Sequence, residues 1–121
     1  MSVEKLEAFD WRSFRENPGR LISEDWMLIT AGKIDHWNTM TASWGGFGSL
    51  WGMDVAFIFV RPSRYTYGFL EREEGFALSF FGADMRGALD ICGSKSGRNT
   101  DKAKAAGISP RELARGRVSF N

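Results

Sequence analysis

Residues 38–51, NTMTASWGGFGSLW, constrain the chain more than any other stretch. Thr39, Thr41 and Ser43 alternate with Met40, Ala42 and Trp44, and only a period of two collects the hydroxyls on one face and the apolar groups on the other. A helix would scatter both sets, so the segment reads as a strand. Gly45, Gly46, Gly48 and Gly52 then crowd into eight residues, where they weaken any helix and let main chain approach something flat or charged. The expectation is a strand whose hydroxyl face meets a ligand beside glycine backbone. An edge strand followed by a glycine bulge accounts for the same pattern.

The flanking sequence supplies the partners such a strand needs. Residues 26–31 (WMLITA) read as a strand, Gly32-Lys33 as its turn, and residues 36–44 as an antiparallel return. Residues 54–60 (DVAFIFV) form an unbroken apolar run between Gly52 and Pro62, which predicts a strand buried on both faces at the core of the sheet. Pro62 cannot donate to a ladder and ends it, leaving Ser63 to cap a short helix over 64–70. FALSFF at 76–81 is the next strand, after a turn in which Glu71, Glu73 and Glu74 read as solvated.

Beyond Asp84 the period changes. Met85, Ala88, Leu89 and Cys92 lie on one helical stripe that Asp84 can cap and Gly93 can stop. The polar loop SKSGRNT at 94–100 and a short basic helix at 101–106 come next, and 107–121 carries no convincing pattern. Near the other end, Asp10 can cap a short helix that runs on through about 14–16 and that Pro18-Gly19 terminates. The sum is a mostly β, antiparallel, barrel-like sheet with small helices in its connections.

With 121 residues the chain has room for one domain, 1–121, and one core. A net charge of +1 gives no argument for nucleic acid or an acidic membrane face. Residues 94–121 nevertheless hold seven basic and two acidic groups, against nine and thirteen before them, so an anion site near the end is compatible with the distribution. A basic helix surface in solvent is equally so. One cysteine and one histidine argue against a disulfide, a Cys/His metal site and a Ser-His-Asp triad. No apolar run is long enough for a signal peptide or a membrane span, and a cytoplasmic, reducing setting is expected.

Three constellations bear on chemistry. The NTMTASW strand has the hydroxyls and close backbone that a flat heteroaromatic ligand requires. In RPSRYT, Arg61 and Arg64 flank a rigid proline beside a helix start, an arrangement suited to phosphate, although either arginine can instead pair with Glu71 or Glu73. CGSKSGR at 92–98 lacks the GxxxxGK[ST] spacing and lies after a helix, which excludes a Walker-type loop and leaves an anion contact. Cys92 lies on the apolar stripe and reads as packing, and His36 as structural or surface.

Taken together and in order, NTMTASWGGFGSLWG, FVRPSRYTYGFL, FALSFF and CGSKSGRNTDK resemble the flavin reductase-like or flavoredoxin-like proteins of the FMN-binding split barrel. The resemblance covers most of residues 20–107. It implies an antiparallel split β-barrel that binds FMN near the interface of a homodimer, and flavin reduction by NADH or NADPH or by a redox partner. By the same resemblance Asn38, Thr39, Met40, Thr41, Ala42, Ser43 and Trp44 line the flavin, and Arg61, Ser63, Arg64, Tyr65 and Thr66 flank ring and phosphate. Cys92, Gly93, Ser94, Lys95, Ser96 and Lys102 close the other side. No side chain is assigned a catalytic role, because the hydride chemistry belongs to the flavin, and no metal is implied. RELARGRVSFN departs from the family pattern, which implies a barrel left incomplete at that end or completed by a partner subunit. Two readings result: an NAD(P)H-dependent flavoprotein, or an FMN-binding or dimerising module without turnover.

Overall fold

The computed structural model describes Asp10 and residues 13–120. Trp11 and Arg12, which the helix expected from Asp10 would include, lie outside the described residues. At Ser13 the chain makes a turn, in which the Ser13 backbone N–H and hydroxyl both donate to the Asp10 carbonyl. Pro18 then opens a helix instead of ending one. Helix α1 (Pro18–Arg20) has Pro18 at its first position, where a missing N–H costs nothing, and the Asn17 side chain accepts from the Gly19 and Arg20 N–H groups. It continues as a π-helical turn, Leu21–Asp25.

Strands β1 (Met27–Lys33) and β2 (His36–Ala42) form the expected antiparallel pair, and β5 (Ala77–Ser79) flanks β1 on its other side. The turn falls at 34–35, because Gly32 pairs with Trp37 inside the ladder at φ 111°, where a Cβ would collide with the His36 carbonyl. The strand buried on both faces is β1. Ile29 and Met27 join Ile22, Met40 and Ala42 in one core, while Leu28 joins Leu89, Cys92, Ile108 and Phe120 in a second.

The DVAFIFV run behaves otherwise than its composition suggests. Strand β4 (Met53–Ile58) pairs only with β3 (Gly45–Leu50), in a separate two-stranded ribbon. The glycine-rich segment is therefore the first arm of this hairpin, in regular register and not a bulge. Trp51 and Gly52, both at positive φ, make its tight turn. Phe47 and Ile58 pack on the first core, whereas Leu50, Trp51, Met53 and Phe57 remain exposed, Trp51 at 85%.

Helix α2 (Tyr65–Arg72) starts one residue later than expected, with Arg64 in the N-cap position and no side-chain cap from Ser63. Helix α3 (Arg86–Ser94) presents the predicted stripe, with Leu89 and Cys92 buried and Met85 and Ala88 packed beside them. Asp84 sits in a preceding 3₁₀ turn without capping it. Gly93 does not stop α3; its missing side chain lets the helix lie against Thr41. Helix α4 (Lys102–Ala106) is capped by the Asp101 carboxylate, which accepts from the Lys104 N–H. The patternless end forms a hairpin of β6 (Pro110–Glu112) and β7 (Val118–Phe120), and the Ser119 and Ser79 hydroxyls hydrogen bond at 3.0 Å.

The strands are thus antiparallel throughout and arranged in three sheets, with no closed barrel among the described residues. No helix among them is long and apolar enough to cross a membrane.

Candidate functional site

Strand β2, the start of α2 and the loop after α3 converge on two adjoining clefts that share Ser63 and Arg64. The first, of about 280 Å³, runs along the end of β2 from Met40 through Ser43 to Trp44, with Phe59, Arg61 and Ser63 opposite. Trp44 and Phe59 are exposed aromatic walls, and the Arg61 guanidinium stands 5.2 Å from the Trp44 ring centre. This stacking holds one cation in the wall of the cleft beside the Trp44 ring.

The second cleft, of about 210 Å³, is polar. Asn38, Tyr65 and Thr66 form one side, and Gly93 to Ser96 with Lys102 the other. Neither Arg61 nor Arg64 has a carboxylate partner among the described residues: Glu73 pairs with Lys33 at 3.6 Å, and Glu71 accepts from Tyr67. Both arginines are left to the clefts. The first turn of α2 faces this space with no side-chain cap, so donors, the Arg64 and Lys95 cations and the positive end of a helix meet there.

The walls are fixed by buried polar bonds. Asn38 donates through Nδ2 to the Thr66 hydroxyl at 2.8 Å, tying β2 to α2. Gly97 lies so close that a Cβ there would collide with Asn38 Oδ1, which seats the loop after α3 on the same asparagine. Lys102 is 4% exposed, and its Nζ donates to the Thr39 carbonyl at 2.6 Å and the Cys92 carbonyl at 2.9 Å. Burial pushes the Lys102 ammonium down to about 8, with nearby Arg64 acting in the same direction and Cys92 against it. Burial also pushes the Cys92 thiol up, with Lys102 opposing.

Of the eighteen residues singled out from the sequence, two do not reach either cleft. Thr39 is fully buried, its hydroxyl bonded to Thr30 at 2.9 Å and to the Ile29 carbonyl at 3.1 Å. Cys92 is fully buried in the second core. The hydroxyl face of β2 is real but is covered by α3, and Thr41 spends its hydroxyl on the Leu89 carbonyl. Strand β1 satisfies the Thr39 hydroxyl and the α3 backbone that of Thr41, where a ligand was expected. Phe59, hidden in an apolar run, lines the first cleft without a signal in the sequence, while Gly97 and Arg98, read only as part of the 92–98 anion loop, lie beside Asn38 and Tyr65, Arg98 at 5.1 Å from the Tyr65 ring centre.

The profile of the flavin reductase like domain matches residues 19–119. Among solved structures, the chain resembles the flavoredoxin of Desulfovibrio vulgaris (Miyazaki F) with a TM-score of 0.71 and 22% identity, over 79% of this chain and 53% of that one. It also resembles an FMN-binding domain of a flavin reductases-like enzyme from Shewanella baltica OS155, with a TM-score of 0.67 and 19% identity, over 81% and 52%. The chain spans about half the length of each of these proteins. At such identities the two likenesses speak for the fold. Comparison with curated proteins returns no match.

Proposed function

The chain belongs to the flavin reductase like domain family, and from that premise we propose that it binds FMN and passes electrons from NADH or NADPH to an acceptor. The observation that carries this reading is the pair of joined clefts, one bordered by the Trp44 and Phe59 rings and one lined with donors and cations, meeting at Ser63 and Arg64. A planar ring with a phosphate tail asks for that division. The donor set fits the group: backbone and Ser43 beside the ring, and Arg64, Lys95, Ser96 and the start of α2 around the phosphate. When bound, FMN supplies the hydride-accepting chemistry. The chain's residues bind and orient. Arg61, held over Trp44, would border the bound ring, while Arg64, which lines both clefts, would hold the group where they meet.

The reading extends to assembly and setting. The exposed row Leu50, Trp51, Met53 and Phe57 on the β3–β4 ribbon supports a homodimer in which a second copy covers this face, and a split barrel is the arrangement the three sheets would belong to. The free, buried thiol of Cys92 is compatible with a reducing cytoplasm. The exposed row equally favours a second reading, a dimerising FMN binder without turnover.

Titration of the purified protein with FMN tests the first step. Quenched flavin fluorescence and a raised thermal midpoint are expected. Arg64→Ala is expected to weaken FMN binding by about 1.5–3 kcal/mol, the worth of a charge-assisted bond. A colourless protein whose midpoint ignores micromolar FMN would sink the proposal. Anaerobic mixing of the complex with NADH or NADPH separates the two readings: bleaching of the flavin band within seconds marks the reductase, and a persistent band marks the inert binder.

A further inference from the structure

The amine of Lys102 occupies an unusual position for a lysine. It lies on a five-residue helix, yet its side chain is buried between the edge of β2 and the end of α3, and it lines the polar cleft. Among the described residues its Nζ has two acceptors, the Thr39 and Cys92 carbonyls. A neutral amine has two N–H groups and satisfies both carbonyls without remainder. An ammonium carries a third N–H, which has no protein acceptor among the described residues, and burial penalises its charge. The carbonyls belong to a strand edge and a helix end, so the amine cannot leave without exposing them.

The neighbouring charges make the same case. From α2, Arg64 faces Lys102 as a like charge, and from α3 the Cys92 thiol faces it as the one acid. Strand β2 contributes Asn38 and Thr39, neither of which titrates. On the loop and on α4, Lys95, Arg98, Asp101 and Lys104 are exposed, as is Asp90 on α3. No charged group among the described residues supplies the missing acceptor. An anion entering the cleft does.

We propose that Lys102 is a specificity-determining residue through which the polar cleft takes up a proton together with a phosphate-bearing ligand. This rests on the reading that the cleft holds the phosphate of FMN. Free protein keeps the amine in its two-bond neutral form at mildly alkaline pH. Binding of a phosphate dianion provides the third acceptor, one proton moves from solvent to Nζ, and the buried cation is neutralised in place. A flavin without phosphate brings no acceptor and no proton. The low ammonium value of Lys102, about 8, places the coupling between pH 8 and 9.5.

Calorimetric titration of the whole protein with FMN at pH 9, in two buffers of different ionisation enthalpy, tests this directly. Uptake approaching one proton per FMN is expected, and Kd is expected to rise by about tenfold per pH unit between pH 8.5 and 9.5. Riboflavin gives no uptake, which separates phosphate from ring. Lys102→Met is expected to remove both uptake and slope; should that variant fail to fold, the wild-type proton count and the riboflavin comparison decide alone. Tight FMN binding without proton uptake, or the same uptake with riboflavin, overturns the proposal and leaves the FMN reading standing. Absence of FMN binding at every pH overturns both.

Discussion

Asn38 shows how a single side chain organises the polar cleft. Its amide reaches Thr66 on α2 while its carbonyl oxygen is pressed by Gly97, so three segments distant in sequence meet on one residue. Gly97 is there for lack of a Cβ. Gly97→Ala forces the loop off Asn38, and because the loop carries Ser94 to Ser96, the cleft opens with it. FMN affinity is expected to fall at least tenfold, with a loss of stability of about 1–3 kcal/mol typical of overpacking. Fluorescence titration and urea denaturation read the two effects. Unchanged affinity would mean that the loop after α3 does not shape the site.

The β3–β4 ribbon illustrates how an element can be apolar without being core. Cross-strand pairing sets Gly46 opposite Phe57, Gly48 opposite Val55 and Leu50 opposite Met53. These pairs share one face, and the two glycines leave that face low and open around Phe57. The alternate face, with Phe47 and Ile58, packs inward. A ribbon of two strands with both faces apolar is marginal in water, and a second apolar surface is what stabilises it. Replacing both Met53 and Phe57 by Ser is therefore expected to convert a dimer to monomer in sedimentation velocity while circular dichroism is preserved. Retention of the dimer would place the interface elsewhere. Helix α3 gives the opposite case: its stripe is continuous, its partner sheet is present in the chain, and it buries as its period requires.

For the molecule as a whole, two buried titrating groups couple stability to pH in opposite directions. Lys102 is depressed to about 8 in the fold against 10.5 in the unfolded chain, so its burial cost is complete below pH 8 and is relieved as pH rises through the interval. Cys92 is raised above its ordinary 9.0, so the fold holds a proton that the unfolded chain releases above about pH 9, and stability is lost there. The ligand-free protein should gain roughly 1 kcal/mol between pH 8 and 9 and level off above. In Cys92→Ala the gain should continue toward pH 10.5. Urea denaturation across this range is the measurement, and a flat or falling profile from pH 8 to 9 would show that Lys102 is not buried as an ammonium.

Local chemistry was legible where it is decided locally. The β1–β2 hairpin, the α3 stripe, the short helix after Thr100 and the segments that line the clefts could be read from the sequence, because each depends on neighbours a few positions away. The fate of each face could not. Period two told that Thr39 and Thr41 share a face but not that α3 covers it, and hydrophobicity told that DVAFIFV seeks apolar contact but not that Phe57 on one of its faces stays exposed among the described residues. Burial is a property of what lies opposite, and only long-range packing supplies that. Lys102 is the sharpest instance: a basic residue on a short polar helix, turned into a buried amine by two carbonyls, one 63 and one 10 residues away.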